Sequence, residues 1–192
     1  MTPLHMNPNL LKIPLYIAGK SVEEVQEEYG LADVVKMASN ENALGPSPKA
    51  IEAARHMLPA AHRYPGIAER ELRRAVAPRV HPSLTERNVL VGNGATDVIR
   101  MISQAFIWGG GEMVTCSAAF PMYRLSTTMF GGKPVLVPPT ADLRFDLPAL
   151  AAAIGPDTRL VYLCAPNNPT GLIFGRAEVA DFMRRVPEDV AV

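Results

Sequence analysis

The chain has 192 residues, of which 48% are hydrophobic and 20% charged, and this composition is typical of a soluble globular domain rather than a disordered segment. The 19 basic and 19 acidic residues balance, and no dense Lys/Arg cluster is present, which excludes the basic face that nucleic acid requires. No apolar run approaches the roughly 18 residues of a membrane span, so we expect a cytoplasmic protein with no membrane partner. Cys116 and Cys164 stand in apolar stretches, and no Cys/His spacing predicts a metal site.

Capping signals and hydrophobic periodicity predict the elements in chain order. An irregular arm precedes Ser21, which forms a capping box with Glu24 and begins a helix that Gly30 can close. Further helices are predicted over residues 48–57, with Ser47 as N-cap, and over residues 69–76, 96–106, 120–130, 147–154 and 176–185. Strands are predicted over residues 34–38, 89–91, 113–115, 134–137, 160–164 and 190–192. Apolar strands that alternate with amphipathic helices predict an α/β fold of three layers, a mostly parallel sheet flanked by helices.

The loop over residues 92–97 follows a predicted strand and precedes a helix. Its glycines allow a sharp turn, and the first turn of a helix offers unpaired N–H groups and a partial positive charge, so the loop is a candidate phosphate site. Thr96 adds a hydroxyl donor, but an ordinary turn capped by Thr96 or Asp97 explains the same residues equally well. A nicotinamide dinucleotide is disfavoured, because Asp97 stands where its fingerprint needs a third glycine and would repel the pyrophosphate.

Two further loops follow predicted strands, and ligands bind at the carboxyl ends of strands in open α/β sheets. Phe120 in the loop over residues 117–123 is placed to stack on a planar ring, although a core position is the simpler interpretation in isolation. Residues 165–171 read Ala-Pro-Asn-Asn-Pro-Thr-Gly, and the prolines hold the preceding residues extended, which supports Asn168 rigidly. Its carboxamide can donate a hydrogen bond to a phenolate-like oxygen. An ordinary Asx turn is the alternative, but the sequence is more specific than a turn requires.

Four segments together resemble one family. Residues 165–171 resemble the PNNPTG signature of fold-type I aminotransferases of classes I and II, and residues 39–48 resemble the SNENPLGPSP segment of histidinol-phosphate aminotransferases, with Ala43 in place of proline. Tyr64-Pro65 is similar to their YPD or YPE loop, with Gly66 in place of the acid, and residues 92–97 resemble their GNG(A/S)DE turn. The resemblance covers nearly the whole chain in the same order. It implies an N-terminal arm and part of the small domain over residues 1–47, and an incomplete large domain, the cofactor-binding one, over residues 48–192.

The resemblance also implies pyridoxal 5'-phosphate as the cofactor. The residues implied to hold it are Ala95, Thr96, Asp97, Phe120, Asn168 and Tyr64. Phe120 would stack on the pyridine ring, where the family usually has tyrosine, and Asn168 would hydrogen-bond the 3-oxygen of the ring. Tyr64 would reach the cofactor phosphate of a neighbouring subunit, which implies a homodimer. The residues implied to line the substrate entrance are Asn40, Leu44 and Gly45.

Catalysis in this family needs a lysine that forms a Schiff base with the cofactor and serves as general acid and base. The lysines of this chain are Lys12, Lys20, Lys36, Lys49 and Lys133. None matches that position, so we predict no catalytic residue and expect the chain to be inactive alone. The resemblance implies part of an aminotransferase that takes an amino-alcohol phosphate or amino acid and a 2-oxo acid, most simply histidinol phosphate and 2-oxoglutarate. The alternatives are an aromatic amino-acid aminotransferase, a threonine-phosphate decarboxylase-like enzyme, or a non-catalytic dimerisation module.

Overall fold

The computed structural model describes residues 7–14, 19–64, 66 and 69–192. Parts of the predicted arm, residues 1–6 and 15–18, and Pro65 of the predicted Tyr-Pro loop lie outside the described residues. The described residues form two compact units: those up to Pro14 together with Arg87–Val192, and those from Leu15 to Glu86. The predicted domain boundary between residues 47 and 48, which follows from resemblance alone, stays a prediction.

The unit from Leu15 to Glu86 is helical. Its helices are α1 (Val22–Tyr29), α2 (Pro48–Met57) and α3 (Arg70–Val80). The predicted capping box is confirmed, because Ser21 Oγ accepts from the Glu24 N–H at 3.1 Å and the Glu24 carboxylate accepts from the Ser21 N–H at 2.6 Å. Gly30 ends α1 in the left-handed conformation, at φ 63°. The predicted strand over residues 34–38 does not form, since the described residues of this unit contain no strand that could pair with it.

The other unit is an α/β unit that contains every strand of the described chain. Its elements are α4 (Gly94–Ile107), β1 (Glu112–Cys116), α5 (Met122–Met129), β2 (Lys133–Val137), α6 (Leu147–Ala152), β3 (Thr158–Val161) and α7 (Arg176–Met183). The three strands run parallel in the order β2-β1-β3, with Val114 opposite Val135 on one side and Val161 on the other. A short 3-10 helix, Pro8–Lys12, lies beside α5, where Asn7 Nδ2 donates to Met129 O at 3.1 Å.

Alternating strand residues bury opposite faces of this sheet, because successive side chains of a strand point to opposite sides. Val114 and Val161 pack with Leu150 of α6 and Phe182 of α7. On the other face, Leu160 packs with core residues of α4 and α5; that cluster comprises Ile99, Ile107, Met113, Tyr123 and Leu160. Strands that are apolar on both faces are what a parallel sheet between two helix layers requires. The predicted three-layer architecture is therefore confirmed.

Two strands predicted at the margins of this sheet do not form as expected. The predicted strand over residues 89–91 is wrong for the described chain, because no described strand runs beside it, and Leu90 is 57% exposed. The predicted strand over residues 190–192 is reduced to one bridge between Leu160 and Ala191. A strand is defined by hydrogen bonds to its neighbour, so apolar composition alone does not produce one.

Candidate functional site

The parallel order of the sheet brings the loops after β1 and β3 to the same edge. Residues 117–121 follow β1 and residues 162–171 follow β3. The two loops are joined directly, since Asn167 Nδ2 donates to Ala118 O at 3.0 Å. Ligand sites in open α/β sheets occupy this carboxyl edge, so the loops form the wall of a candidate site.

The amino terminus of α4 lies at the same edge, because α4 runs antiparallel to the strands. Near its start, Ile99 O accepts from the hydroxyl of Tyr162, just beyond the carboxyl end of β3, at 3.2 Å. Near its end, Ile107 lies against Gly132, just before the amino end of β2. A second contact to the same Tyr162 hydroxyl strengthens its link to α4, since Ser103 Oγ lies 3.2 Å from it. The first turn of α4 is therefore held beside the segment that leads into residues 165–171.

The first turn of α4 offers hydrogen-bond donors to an anion. The helix begins at Gly94, with Ala95, Thr96 and Asp97 following inside that turn. Neither Thr96 nor Asp97 is the N-cap; Asn93 holds that position without a side-chain cap, and the Asp97 carboxylate accepts from the Asn93 N–H at 3.0 Å. Within the described part of the chain, the N–H groups of Ala95 and Thr96 and the Thr96 hydroxyl have no acceptor. Free donors and the partial positive charge of a helix start favour a bound phosphate.

Phe120 is half-buried and rests on a stack of two tyrosines. Its ring meets Tyr123 edge-on, with centroids 5.9 Å apart, and Tyr123 stacks on Tyr162 with centroids 4.4 Å apart and planes 15° from parallel. Burial raises the pKa of Tyr123, and a hydrogen bond with Cys164 raises it further, so its hydroxyl stays neutral. The two interpretations of Phe120 are thus compatible: one side packs on the core, and the ring remains partly accessible.

Asn168 presents a free carboxamide at the turn of the third loop. Two backbone hydrogen bonds close the turn that contains it. The Asn167 N–H donates to Leu172 O at 2.8 Å, and the Gly171 N–H donates to Asn167 O at 2.7 Å. Gly171 has φ 72°, which only glycine adopts easily. The Asn168 side chain is half-buried and makes no hydrogen bond to any described residue. It can therefore bind a ligand without first breaking an internal contact.

The remaining predicted residues belong to the helical unit. Tyr64 is fully exposed and Leu44 is 94% exposed. Asn40 and Gly45 have positive φ, 53° and 73°, in the loop that precedes α2. Each is accessible to a ligand or partner, and the roles predicted for them stay predictions.

Sequence reasoning missed the two tyrosines beneath Phe120. The available signal was the alternation along β3, which places Tyr162 on the same face as Leu160, two residues earlier. No group of three or more His, Cys, Asp or Glu side chains suited to a metal occurs among the described residues. Within the same residues, no helix has the length and apolar character to cross a membrane.

Comparison with known proteins identifies the family of the chain. The family described as aminotransferase class I and II matches residues 32–192. A histidinol-phosphate aminotransferase of Moorella thermoacetica is 41% identical over 183 residues, which are 95% of this chain and 47% of that protein. An aromatic amino acid aminotransferase of Cutibacterium acnes is 39% identical over 180 residues, which are 94% of this chain and 48% of that protein.

A solved structure shares the fold. The histidinol-phosphate aminotransferase of Sinorhizobium meliloti, in complex with pyridoxal-5'-phosphate, superposes with a TM-score of 0.82 at 26% identity, over 96% of this chain and 49% of that one. The chain thus spans about half the length of the curated relatives it matches. With a family match that covers most of its residues and an α/β sheet whose carboxyl edge carries the expected loops, the chain belongs to the class I and II aminotransferases.

Proposed function

We propose that this chain is the cofactor-binding part of a histidinol-phosphate aminotransferase, with pyridoxal 5'-phosphate as its cofactor, histidinol phosphate as amino donor and 2-oxoglutarate as acceptor. One observation carries the proposal: three groups of matching chemistry occupy one sheet edge. They are the free donors of the first turn of α4, the Phe120 ring and the free Asn168 carboxamide. The name of the relative from Moorella thermoacetica supports the choice of substrate.

These groups match the parts of pyridoxal phosphate. The N–H groups of Ala95 and Thr96, with the Thr96 hydroxyl, suit the phosphate. The Asp97 carboxylate would repel an anion, but the Asn93 N–H already hydrogen-bonds it, which moderates the repulsion. Phe120 suits the planar ring. When bound, the cofactor supplies an electron sink for the carbon that carries the substrate amino group.

The residues of this chain bind and orient rather than transfer protons. A hydrogen bond from the Asn168 carboxamide to the ring 3-oxygen favours the deprotonated form of that oxygen. Phe120 excludes water from one face of the ring and restricts its tilt. The start of α4 anchors the phosphate, so the ring is held at both ends.

The lysines of the α/β unit support the proposal that the chain alone does not transaminate. Lys133 lies at the amino end of β2, opposite the site, and pairs with Glu112 at 2.7 Å. Lys12 ends the 3-10 helix that lies beside α5. The last residue of α5 is Met129, which lies shortly before the amino end of β2, so this helix is also near the amino edge of the sheet. Neither is at the carboxyl edge where the cofactor would bind, so a lysine from outside the described α/β unit is required.

The roles of the helical unit belong to the same proposal. Tyr64 would reach the cofactor phosphate of a partner subunit in a homodimer, and Asn40, Leu44 and Gly45 would line the substrate entrance. The exposure of Tyr64 and Leu44 supports this, because both side chains are available to a partner or substrate. The division into residues 1–47 and 48–192 is proposed on the resemblance, and the cytoplasmic location expected from the sequence belongs to the same proposal.

A second candidate is an aromatic amino-acid aminotransferase. The relative from Cutibacterium acnes, at 39% identity, supports it nearly as well as the relative from Moorella thermoacetica, at 41%, supports the first. Both candidates use the same cofactor groups, so the cofactor test below applies to either.

The test is binding of pyridoxamine 5'-phosphate, which has no aldehyde and so forms no adducts with surface lysines. Equilibrium dialysis of the 192-residue chain should show one saturable site. Phe120→Ala and Asn168→Ala should each weaken binding about fivefold, since a ring contact or a hydrogen bond is worth on the order of 1 kcal/mol. The matched control is Phe106→Ala, which removes an exposed phenylalanine of α4, near the opposite end of that helix from the proposed site.

Two kinds of result would contradict the proposal, one for the cofactor site and one for the inactivity of the chain alone. Absence of saturable binding, or equal affinity in Phe120→Ala and Phe106→Ala, contradicts the proposed cofactor site. Incubation of the chain with histidinol phosphate, 2-oxoglutarate and pyridoxal phosphate should form no glutamate above the protein-free rate. Glutamate formation by the chain would contradict the proposal that it is inactive alone.

A further inference from the structure

Asn167 joins the two loops that carry the ring and the carboxamide of the proposed site. It is only 4% exposed. Its Nδ2 donates to Ala118 O at 3.0 Å and to Thr170 Oγ1 at 2.9 Å. Ala118 lies two residues before Phe120, and Asn167 immediately precedes Asn168. One buried side chain therefore connects the support of Phe120 with the support of Asn168.

The backbone of Asn167 is fixed as firmly as its side chain. Its N–H donates to Leu172 O at 2.8 Å and its carbonyl accepts from the Gly171 N–H at 2.7 Å. The residue cannot rotate without losing hydrogen bonds on three sides. Asn168 differs, because its side chain has no hydrogen-bond partner among the described residues. The pair thus combines one anchored carboxamide with one available carboxamide.

Stability alone is a poor reason for a carboxamide at this position. Asn167 Oδ1 is buried and has no hydrogen-bond partner in the described chain. Exchanging the oxygen and nitrogen would point Oδ1 at the carbonyl of Ala118, so the observed orientation is the favourable one. A buried polar atom without a partner opposes folding, and an apolar side chain of the same shape would avoid it. The two N–H bonds, rather than packing, explain the residue.

We propose that Asn167 is a positioning residue, which holds the Phe120 ring and the Asn168 carboxamide at a fixed separation and direction before a ligand binds. The proposal rests on the proposed function only in assigning those two groups to the cofactor. Groups held in place before binding lose less conformational freedom when the ligand arrives, so affinity is higher. Loss of the Asn167 donors should loosen the loop after β1 even when no ligand is present.

The first test is hydrogen exchange of the 192-residue chain without ligand. In the loop after β1, the amides of Ser117 and Ala119 donate to Val137 O at 2.8 Å and to Cys116 O at 3.2 Å. In Asn167→Ala we expect these amides to exchange about tenfold faster, because loss of one anchoring bond raises local opening by roughly that factor. Thr170→Val is the matched control; it leaves the bond to Ala118 intact and should change these rates less than about twofold.

Asn167→Asp guards against a variant that fails to fold. It keeps the volume of asparagine and removes both donors, so the same faster exchange is expected. Circular dichroism and urea unfolding identify the folded variants. Unfolding of both Asn167→Ala and Asn167→Asp would assign the residue to fold stability and overturn the proposal, as would unchanged exchange at Ser117 and Ala119.

The second test is the affinity for pyridoxamine 5'-phosphate. We expect about tenfold weaker binding in Asn167→Ala and less than about threefold in Thr170→Val, in line with one lost anchoring bond. Faster exchange with unchanged affinity would overturn the positioning role. Failure of the unsubstituted chain to bind would instead contradict the proposed cofactor site, and the exchange rates alone would then decide whether Asn167 holds the loops together.

Discussion

Gly132 occupies a position before β2 where no side chain fits. A Cβ built there would overlap Cγ2 of Ile107 in α4 and would lie 3.1 Å from both Gly111 O and Thr127 Cγ2. Ile107 and Thr127 are both fully buried. None of the three neighbours has room to retreat, since one is backbone and two are enclosed in the core. We therefore predict that Gly132→Ala forces α4 away from the sheet.

The expected loss in the free energy of unfolding follows from the cost of adding a methyl group to a packed interior. Extra methyl groups in a packed interior cost about 1–3 kcal/mol. We expect the upper half of that range, because the closest neighbour is a β-branched side chain with few alternative rotamers. For a chain of this length, each kcal/mol lowers Tm by roughly 2–4 °C.

The assay is urea unfolding of the 192-residue chain, followed by circular dichroism, with Gly155→Ala as the matched control. Gly155 has no heavy atom within 4 Å of an added Cβ, and its φ lies outside the left-handed region. Alanine there should be neutral or stabilise by about 0.4–1 kcal/mol, because it restricts the unfolded chain. The reasoning is refuted if Gly132→Ala stays within about 0.5 kcal/mol of the unsubstituted chain, the usual range for harmless changes.

Three further outcomes are expected. Tyr162→Phe removes the hydroxyl that links β3 to α4 and leaves Ser103 without that partner, so urea unfolding should show a loss of about 0.5–1.5 kcal/mol; no loss would contradict the link. The Thr140 hydroxyl donates to Asp142 and lowers the pKa of that carboxyl, so the pair stabilises the fold above the ordinary pKa of aspartate, and this stability is lost as pH falls through the lowered value. Carbon NMR titration should show the pKa of Asp142 rising in Thr140→Val, and an unchanged midpoint would exclude the hydrogen bond as the cause. Burial raises the pKa of the Cys116 thiol, so Ellman's reagent at pH 8 should modify this residue only after urea is added, and rapid modification in the folded chain would contradict its burial.

Hydrophobic periodicity was sufficient for the elements that bury a face. The strands β1 and β2 and the helices α4 and α7 lie within a few residues of their predicted positions, since packing against a neighbour repeats with the period of the element. Residues 89–91 have the same apolar character and form no strand. Pairing depends on a neighbouring strand that composition does not reveal, and this explains the difference.

The candidate site divides in a similar way. The grouping of Phe120 and Asn168 was predictable, because loops that follow parallel strands share an edge. The roles of Asn167 and Tyr162 were not, since each depends on one contact between segments far apart in the chain: Asn167 with Ala118, and Tyr162 with Ile99. Such contacts depend on register and rotamer, which no local pattern encodes.

The central place of β1 has a consequence for the order in which the sheet assembles. Its first partner, β2, follows after the short connection through α5, whereas β3 arrives only after β2 and α6. Closing the shorter connection loses less chain entropy, so the β1–β2 pair should form before β3 joins the sheet. Until β3 arrives, the second edge of β1 has unpaired N–H and C=O groups that another chain could pair with.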